Sequence, residues 1–306
     1  MIKRVYRNLT RRRVSLKWAV RGGPYSYYIV NDFATRKMTY HTDKLPAISG
    51  LAREVRRMTD GQYSYKAGIW RSRKFEYQGL LWGITTPFAA RYEKFIAPSW
   101  SWASMDLSGV AVSQDGRSKL YNERLLEDLR PKMEVKIMST KPVGGDPYMQ
   151  VLGGHLKIEG MCCNVCCCEI PSVFFDIHDG SHAAPIGPWE ILKAIDSSSS
   201  DGIPGSYVEM FKGFKRDLIG KAFCEGRSAT GTVSGSHQPL LLLEMAEWSS
   251  PMYRSTASIC LILERSEFVV NNEEETFKRV GRAFVLKEPA GVRDLSRWQS
   301  QILTIK

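Results

Sequence analysis

Five of the seven cysteines lie in one run, Cys162-Cys163-Asn164-Val165-Cys166-Cys167-Cys168. Cys163 and Cys166 have the two-residue gap of a zinc knuckle. A structural zinc site needs a second pair, and Cys224 and Cys260 are isolated. His155 and His178 complete a site only if the fold brings them in. The alternation of Leu156 and Ile158 leads directly into the run, so the thiols read as small buried hydrophobes of a strand. Metal binding and redox chemistry are the alternatives. An odd cysteine count without a secretory segment points to a reducing, cytoplasmic setting without structural disulfides.

Other chemistry fails on spacing. Gly213 and Gly220-Lys221-Ala222 are too far apart for a phosphate loop, and Ala222 replaces the magnesium-binding hydroxyl. Gly231-Thr232-Val233-Ser234-Gly235 misplaces the serine for a nucleophile elbow. His237 has no evident orienting acid. His178, Asp179 and His182 fall in a loop-like stretch, poorly suited to preorganised ligands. Glu273-Glu274-Glu275 reads as a solvated turn. The expectation is a non-enzyme with no catalytic, cofactor-binding or metal-ligating residues.

The elements follow from periodicity. Asp43 is placed to cap a helix and Pro46 fits its first turn. Leu45, Ile48, Ala52, Val55 and Met58 form one apolar stripe, with Arg53, Glu54, Arg56 and Arg57 opposite. Tyr63, Tyr65, Trp70, Phe75, Tyr77 and Trp82 are interleaved with Arg71, Arg73 and Lys74, and a short helix is expected around residues 73–82. These aromatics either pack inward or stack nucleic-acid bases; packing is the expectation. In Pro98-Ser99-Trp100-Ser101-Trp102, an extended backbone sends both tryptophans to one face, so a core strand is expected there. After residue 104 the period becomes two: Met133, Val135 and Ile137, then Leu156 and Ile158, then strands within 240–246, 257–264, 277–287 and 301–305. Gly144-Gly145-Asp146-Pro147 is strong turn chemistry. Ile259–Leu263 lacks alternation, which suits burial on both faces.

Charge is uneven. Residues 1–100 hold 20 Lys+Arg and 6 Asp+Glu, whereas the remaining residues hold 23 and 26. A basic excess favours encounters with nucleic acid or anionic surfaces, and weak, non-specific nucleic-acid binding by this half is the alternative function. No run approaches the length of an apolar membrane span.

The chain also carries a family likeness. Thr42-Asp43-Lys44-Leu45-Pro46-Ala47-Ile48-Ser49-Gly50-Leu51-Ala52, Tyr65-Lys66-Ala67-Gly68-Ile69-Trp70, Leu80-Leu81-Trp82 and Ala97-Pro98-Ser99-Trp100-Ser101-Trp102-Ala103-Ser104 occur in that order. Gly154-His155-Leu156-Lys157-Ile158-Glu159-Gly160, Phe277-Lys278-Arg279-Val280-Gly281 and Ile302-Leu303-Thr304-Ile305 follow. Residues 27–306 thereby resemble the region that follows the core domain in fungal heterokaryon incompatibility (HET) proteins. The signature positions are Asp43, Leu45, Pro46, Gly50, Gly68, Trp70, Trp82, Pro98, Trp100 and Trp102.

The resemblance implies a protein of self/non-self recognition and cell-death signalling. In that family the effector activity belongs to a HET segment, which the resemblance places ahead of residue 27. This chain is therefore expected to be a non-catalytic accessory or regulatory region, or a truncated paralogue, whose partners are other proteins of the incompatibility pathway. The fold expected is α+β, a small helical N-terminal part on a predominantly antiparallel β-sandwich or irregular barrel. Residues 1–26 are expected to be a basic, disordered tail. Residues 27–104 form a helical connector, and residues 105–306 a β-rich domain with a loop insertion near 176–206.

Overall fold

The computed structural model describes residues 30, 33–34, 36–72, 77–82, 90–107, 129–166, 220–224, 239–250, 255–266, 275–286 and 298–306. The expected tail, the 176–206 insertion, and the candidates His178, His182, Gly213, Ser234 and His237 lie outside them.

The structure is strand-rich, with a small helical part and a closed barrel. The barrel strands are β7 (Val151–Cys166), β9 (Pro239–Ser250), β10 (Ser255–Arg265), β11 (Thr276–Leu286) and β12 (Trp298–Ile305). Each pairs with the next, and β12 returns to β7, so five strands close on themselves. Five strands cannot all alternate in direction around a ring. One contact must be parallel, and it is β11–β12, joined only at Thr276↔Thr304 and Phe277↔Ile305. Closure removes the unpaired edges that a sandwich would leave. Three further strands lean on the ring: β5 (Leu129–Pro131) on β9, β6 (Met133–Pro142) on β7, and β8 (Gly220–Cys224) on β11.

The sequence explains these strands. Leu240–Leu243 and Ile259–Leu263 are buried at every position. Their alternate faces enter two separate apolar clusters, one holding Leu241, Leu243, Leu261 and Leu263, the other Leu240, Leu242, Cys260 and Ile262. Gly144 and Gly145 adopt φ values of 66° and 80° in the β6–β7 turn, a backbone that glycine enters without strain.

In the small part, a helical turn at His41–Asp43 leads into helix α1 (Lys44–Met58). Leu45, Ile48, Ala52 and Val55 are buried, as their spacing predicts. Pro46 lies in the first turn, but the Asp43 side chain makes no capping bond. The turn that precedes α1 already carries a backbone bond from the Asp43 N–H to the Tyr40 carbonyl.

Two expectations for residues 63–104 need correction. A hairpin, β1 (Tyr63–Lys66) and β2 (Ile69–Ser72), precedes the region expected to be helical. Ala67 and Gly68 have φ of 44° and 91°, the doubly left-handed two-residue turn that matches strand twist. Where a helix around residues 73–82 is expected, the described residues form only a 3-10 turn at Gln78–Leu81. The Pro-Ser-Trp-Ser-Trp stretch is not a strand. It is a chain reversal followed by a 3-10 turn at Trp102–Ser104, with the Ser101 hydroxyl accepting from the Ala103 N–H at 3.1 Å. Serine takes that capping role readily. The strands beside it are only β3 (Ala90–Arg91) and β4 (Met105–Asp106). Among the described residues of 27–104, the hairpin and these turns accompany the one long helix. One apolar cluster runs from Leu45 through Trp82, Trp100 and Trp102 into Leu156, Leu243 and Ile305. Among the described residues, no helix is long and apolar enough to cross a membrane.

Candidate functional site

Gly68, Trp82, Pro98, Trp100 and Trp102 meet at the turn at Pro98–Ser104. Trp82, Trp100 and Trp102 are each fully buried. The Trp82 indole N–H donates to the Trp100 carbonyl at 2.8 Å, and the Trp102 indole N–H donates to the Gly68 carbonyl at 2.8 Å. The Ser101 hydroxyl donates to the Ala67 carbonyl. A Cβ on Gly68 would stand 2.8 Å from the Trp102 Nε1, so this hairpin turn needs glycine both for its φ and for the approaching ring. Pro98 sits on Gly154, where an added Cβ would meet the proline ring at 2.9 Å. Trp70 is buried edge-on to Tyr65, with ring centroids 5.3 Å apart. Gly50 is exposed with open space around it, and nothing in the structure requires glycine there.

The barrel grips this turn from the far side. The Ser99 hydroxyl donates to the Lys306 carbonyl and accepts from the Arg279 N–H at 3.0 Å. Arg279 is fully buried, its guanidinium 3.6 Å from the centre of the Trp82 ring. It donates to the Leu80 carbonyl at 2.6 Å and to the Trp82 carbonyl. Arg282 donates to the Leu81 carbonyl between them at 2.5 Å. Residues three apart on a regular strand face opposite sides. A β-bulge makes the difference: Ile262 pairs with Gly281 while Leu263 pairs with Arg279, which leaves Val280 as the extra residue. Both arginines thus face one side and satisfy three successive carbonyls.

A second constellation lies at the start of α1. Lys44 is buried. Its ammonium donates to the Met105 carbonyl and to the Tyr92 hydroxyl at 3.3 Å. It also lies 5.1 Å from the Tyr92 ring centre and 5.6 Å from that of Trp102. Burial pulls its pKa down to about 8, with the Asp106 carboxylate pulling the other way. Burial and Asp106 both hold the Tyr92 phenol above its usual range. The exposed His41 ring lies 4.6 Å from the Tyr92 ring.

The arginine face of α1 is engaged. Arg53 pairs with Asp146 and lies over the Tyr148 ring at 5.2 Å. Arg56 donates to the Tyr148 hydroxyl at 3.3 Å, and Arg57 pairs with Glu54 at 2.6 Å. Tyr65, Trp70, Tyr77 and Trp82 are buried, which is the packing expected rather than an exposed stacking platform.

The cysteine run enters β7 as far as Cys166. Cys162 and Cys163 are buried free thiols that point into the two different apolar clusters. Burial pushes the Cys162 thiol up to about 12. The backbone at Cys166 pairs with Pro239 at the end of β7. Among the described residues no group of three or more His, Cys, Asp or Glu is placed to hold a metal. Gly220, Lys221 and Ala222 lie on β8 in register with Val285, Phe284 and Ala283, a ladder rather than a phosphate loop. Glu275 pairs with Arg265 at 2.7 Å.

A scan against protein-family models found no match, and neither did a search of curated proteins or of solved structures.

Sequence reasoning missed Lys44, Tyr92, Asp106, Arg279 and Arg282. Lys44 had a signal. It stands four residues before Ile48 and eight before Ala52, on the apolar stripe itself. The two arginines had none, because a bulge is not written in the spacing of the strand that carries it.

Proposed function

We propose that this chain is a non-catalytic accessory or regulatory region of a heterokaryon-incompatibility-type protein, acting in self/non-self recognition through contacts with other proteins. One observation supports this reading above the rest. Seven of the ten residues that carry the resemblance, Leu45, Gly68, Trp70, Trp82, Pro98, Trp100 and Trp102, are buried together in one cluster or against it. Residues selected for packing persist in a scaffold; residues selected for chemistry line an accessible cleft. The nucleic-acid alternative has less behind it. The aromatics that would stack on bases are buried, and Arg53, Arg56 and Arg57 already hold partners within the fold.

The test is expression in a fungal strain lacking every full-length HET protein. Growth should be unaffected, and co-expression with a full-length protein should dampen its response by competition for the partner. Growth arrest by this chain alone would overturn the reading.

A further inference from the structure

We propose that Lys44 is a carbonyl-trapping amine, placed to condense with a small uncharged aldehyde. Among lysines whose side chains are described, Lys44 alone is buried. Its neighbours supply what imine formation needs. The Tyr92 hydroxyl, 3.3 Å from the nitrogen, can pass a proton to and from the substrate oxygen. The Tyr92 and Trp102 ring faces, 5.1 and 5.6 Å away, make apolar walls that also favour a cation. The Asp106 carboxylate attracts the cationic iminium and repels an anionic substrate, which selects against keto acids. The nearest other charged side chain on the β3–β4 ribbon, Arg91, donates to Ser104 and to the Arg279 carbonyl.

The step balances without an oxidant. The neutral amine attacks the carbonyl carbon, a C–N bond forms, and the oxygen gains a proton, giving a carbinolamine. The C–O bond then breaks, the nitrogen gives up its remaining proton, and water leaves. Amine and aldehyde become imine and water. The nitrogen must begin unprotonated. With its pKa near 8, about a tenth of Lys44 is neutral at pH 7, against well under a thousandth of an ordinary lysine. The amine lies one ring below the surface: Tyr92 is half-buried, and the exposed His41 ring packs on it. Entry of an aldehyde requires the Tyr92 ring to turn aside, so the order of lysine modification reads this motion as well. Trapping is stoichiometric, so it asks for no turnover and is independent of the accessory role proposed above.

The experiment treats the full chain with propionaldehyde and cyanoborohydride at pH 7 and maps the propylated lysines by mass spectrometry. Lys44 should be modified at least tenfold faster than the exposed Lys37, Lys94 and Lys141. Tyr92→Phe should slow Lys44 at least fivefold and leave the other three unchanged. Lys44 modified last, as shielding by burial dictates, would overturn the proposal. An unchanged Lys44 rate in a folded Tyr92→Phe protein would do the same. If that variant fails to fold, the order of modification in the native chain still decides.

Discussion

Replacing Gly68 with alanine tests the packing of the tryptophan turn. Two costs arise at one position. The residue holds φ +91°, and a left-handed backbone costs an L-residue about 1–2 kcal/mol. The new Cβ would also stand 2.8 Å from Nε1 and 3.0 Å from Cε2 of Trp102. That ring is fully buried, so it cannot swing into solvent, and overpacking of this kind costs about 1–3 kcal/mol. Any shift that relieves the clash lengthens the Trp102–Gly68 hydrogen bond of 2.8 Å and leaves a buried indole N–H unsatisfied, a further 1–3 kcal/mol or so. The expected loss is about 3–8 kcal/mol, a large fraction of the roughly 5–15 kcal/mol that holds a typical domain together. In urea the midpoint should fall by about 1–2 M. Gly61→Ala is the control. Its φ is +74° with nothing within 4 Å, so only the backbone cost of about 1–2 kcal/mol applies. Equal losses in the two variants would refute the claim that the Trp102 ring rests on the hairpin turn.

Two further outcomes are expected. Arg279→Met removes the donors that satisfy the Leu80 and Trp82 carbonyls; the loss should be about 2–4 kcal/mol, read as a fall in melting temperature of about 5–10 °C, and an unchanged melting temperature would count against the clamp. Lys44, with its folded pKa lowered to about 8, binds fewer protons than the unfolded chain between pH 8 and its ordinary value, so stability rises with pH in that window. The native chain should gain about 2 kcal/mol relative to Lys44→Met between pH 7 and 9.5, and parallel stability curves for the two proteins would show that the amine is not desolvated.

Much of the barrel was legible in the sequence. Leu240–Leu243 and Ile259–Leu263 are too short for helices and too apolar for a half-exposed strand, and both are buried on two faces. Helix α1 was legible because a 3.6-residue stripe leaves few other solutions. The tryptophan turn was misread for a physical reason. Alternation in Trp100-Ser101-Trp102 is equally satisfied by a tight turn in which the serine caps and each ring finds its own cleft. The hairpin was missed because its turn is Ala67-Gly68, whereas the expected signal is Asn-Gly or Asp-Gly. Arg279 was illegible as a buried residue because composition assigns cations to the surface, and the same expectation outweighed the place of Lys44 on the apolar stripe of α1. Only their tertiary partners, carbonyls and ring faces, make burial tolerable.

The parallel contact between β11 and β12 has a consequence for biosynthesis. The tryptophan turn leaves the ribosome early, yet its grip on the barrel comes from Arg279 and Lys306, 180 and 207 residues after Ser99. Until those residues are made, the ring cannot close, and Trp82, Trp100 and Trp102 lack the surfaces that bury them. Contacts so distant along the chain form slowly, and at ordinary translation speeds of about 5–20 residues per second the wait is on the order of ten seconds or more. The nascent chain therefore carries these apolar rings without their final cover for that interval. Synonymous codon choice between residues 100 and 298 then becomes a determinant of yield, although it changes no amino acid.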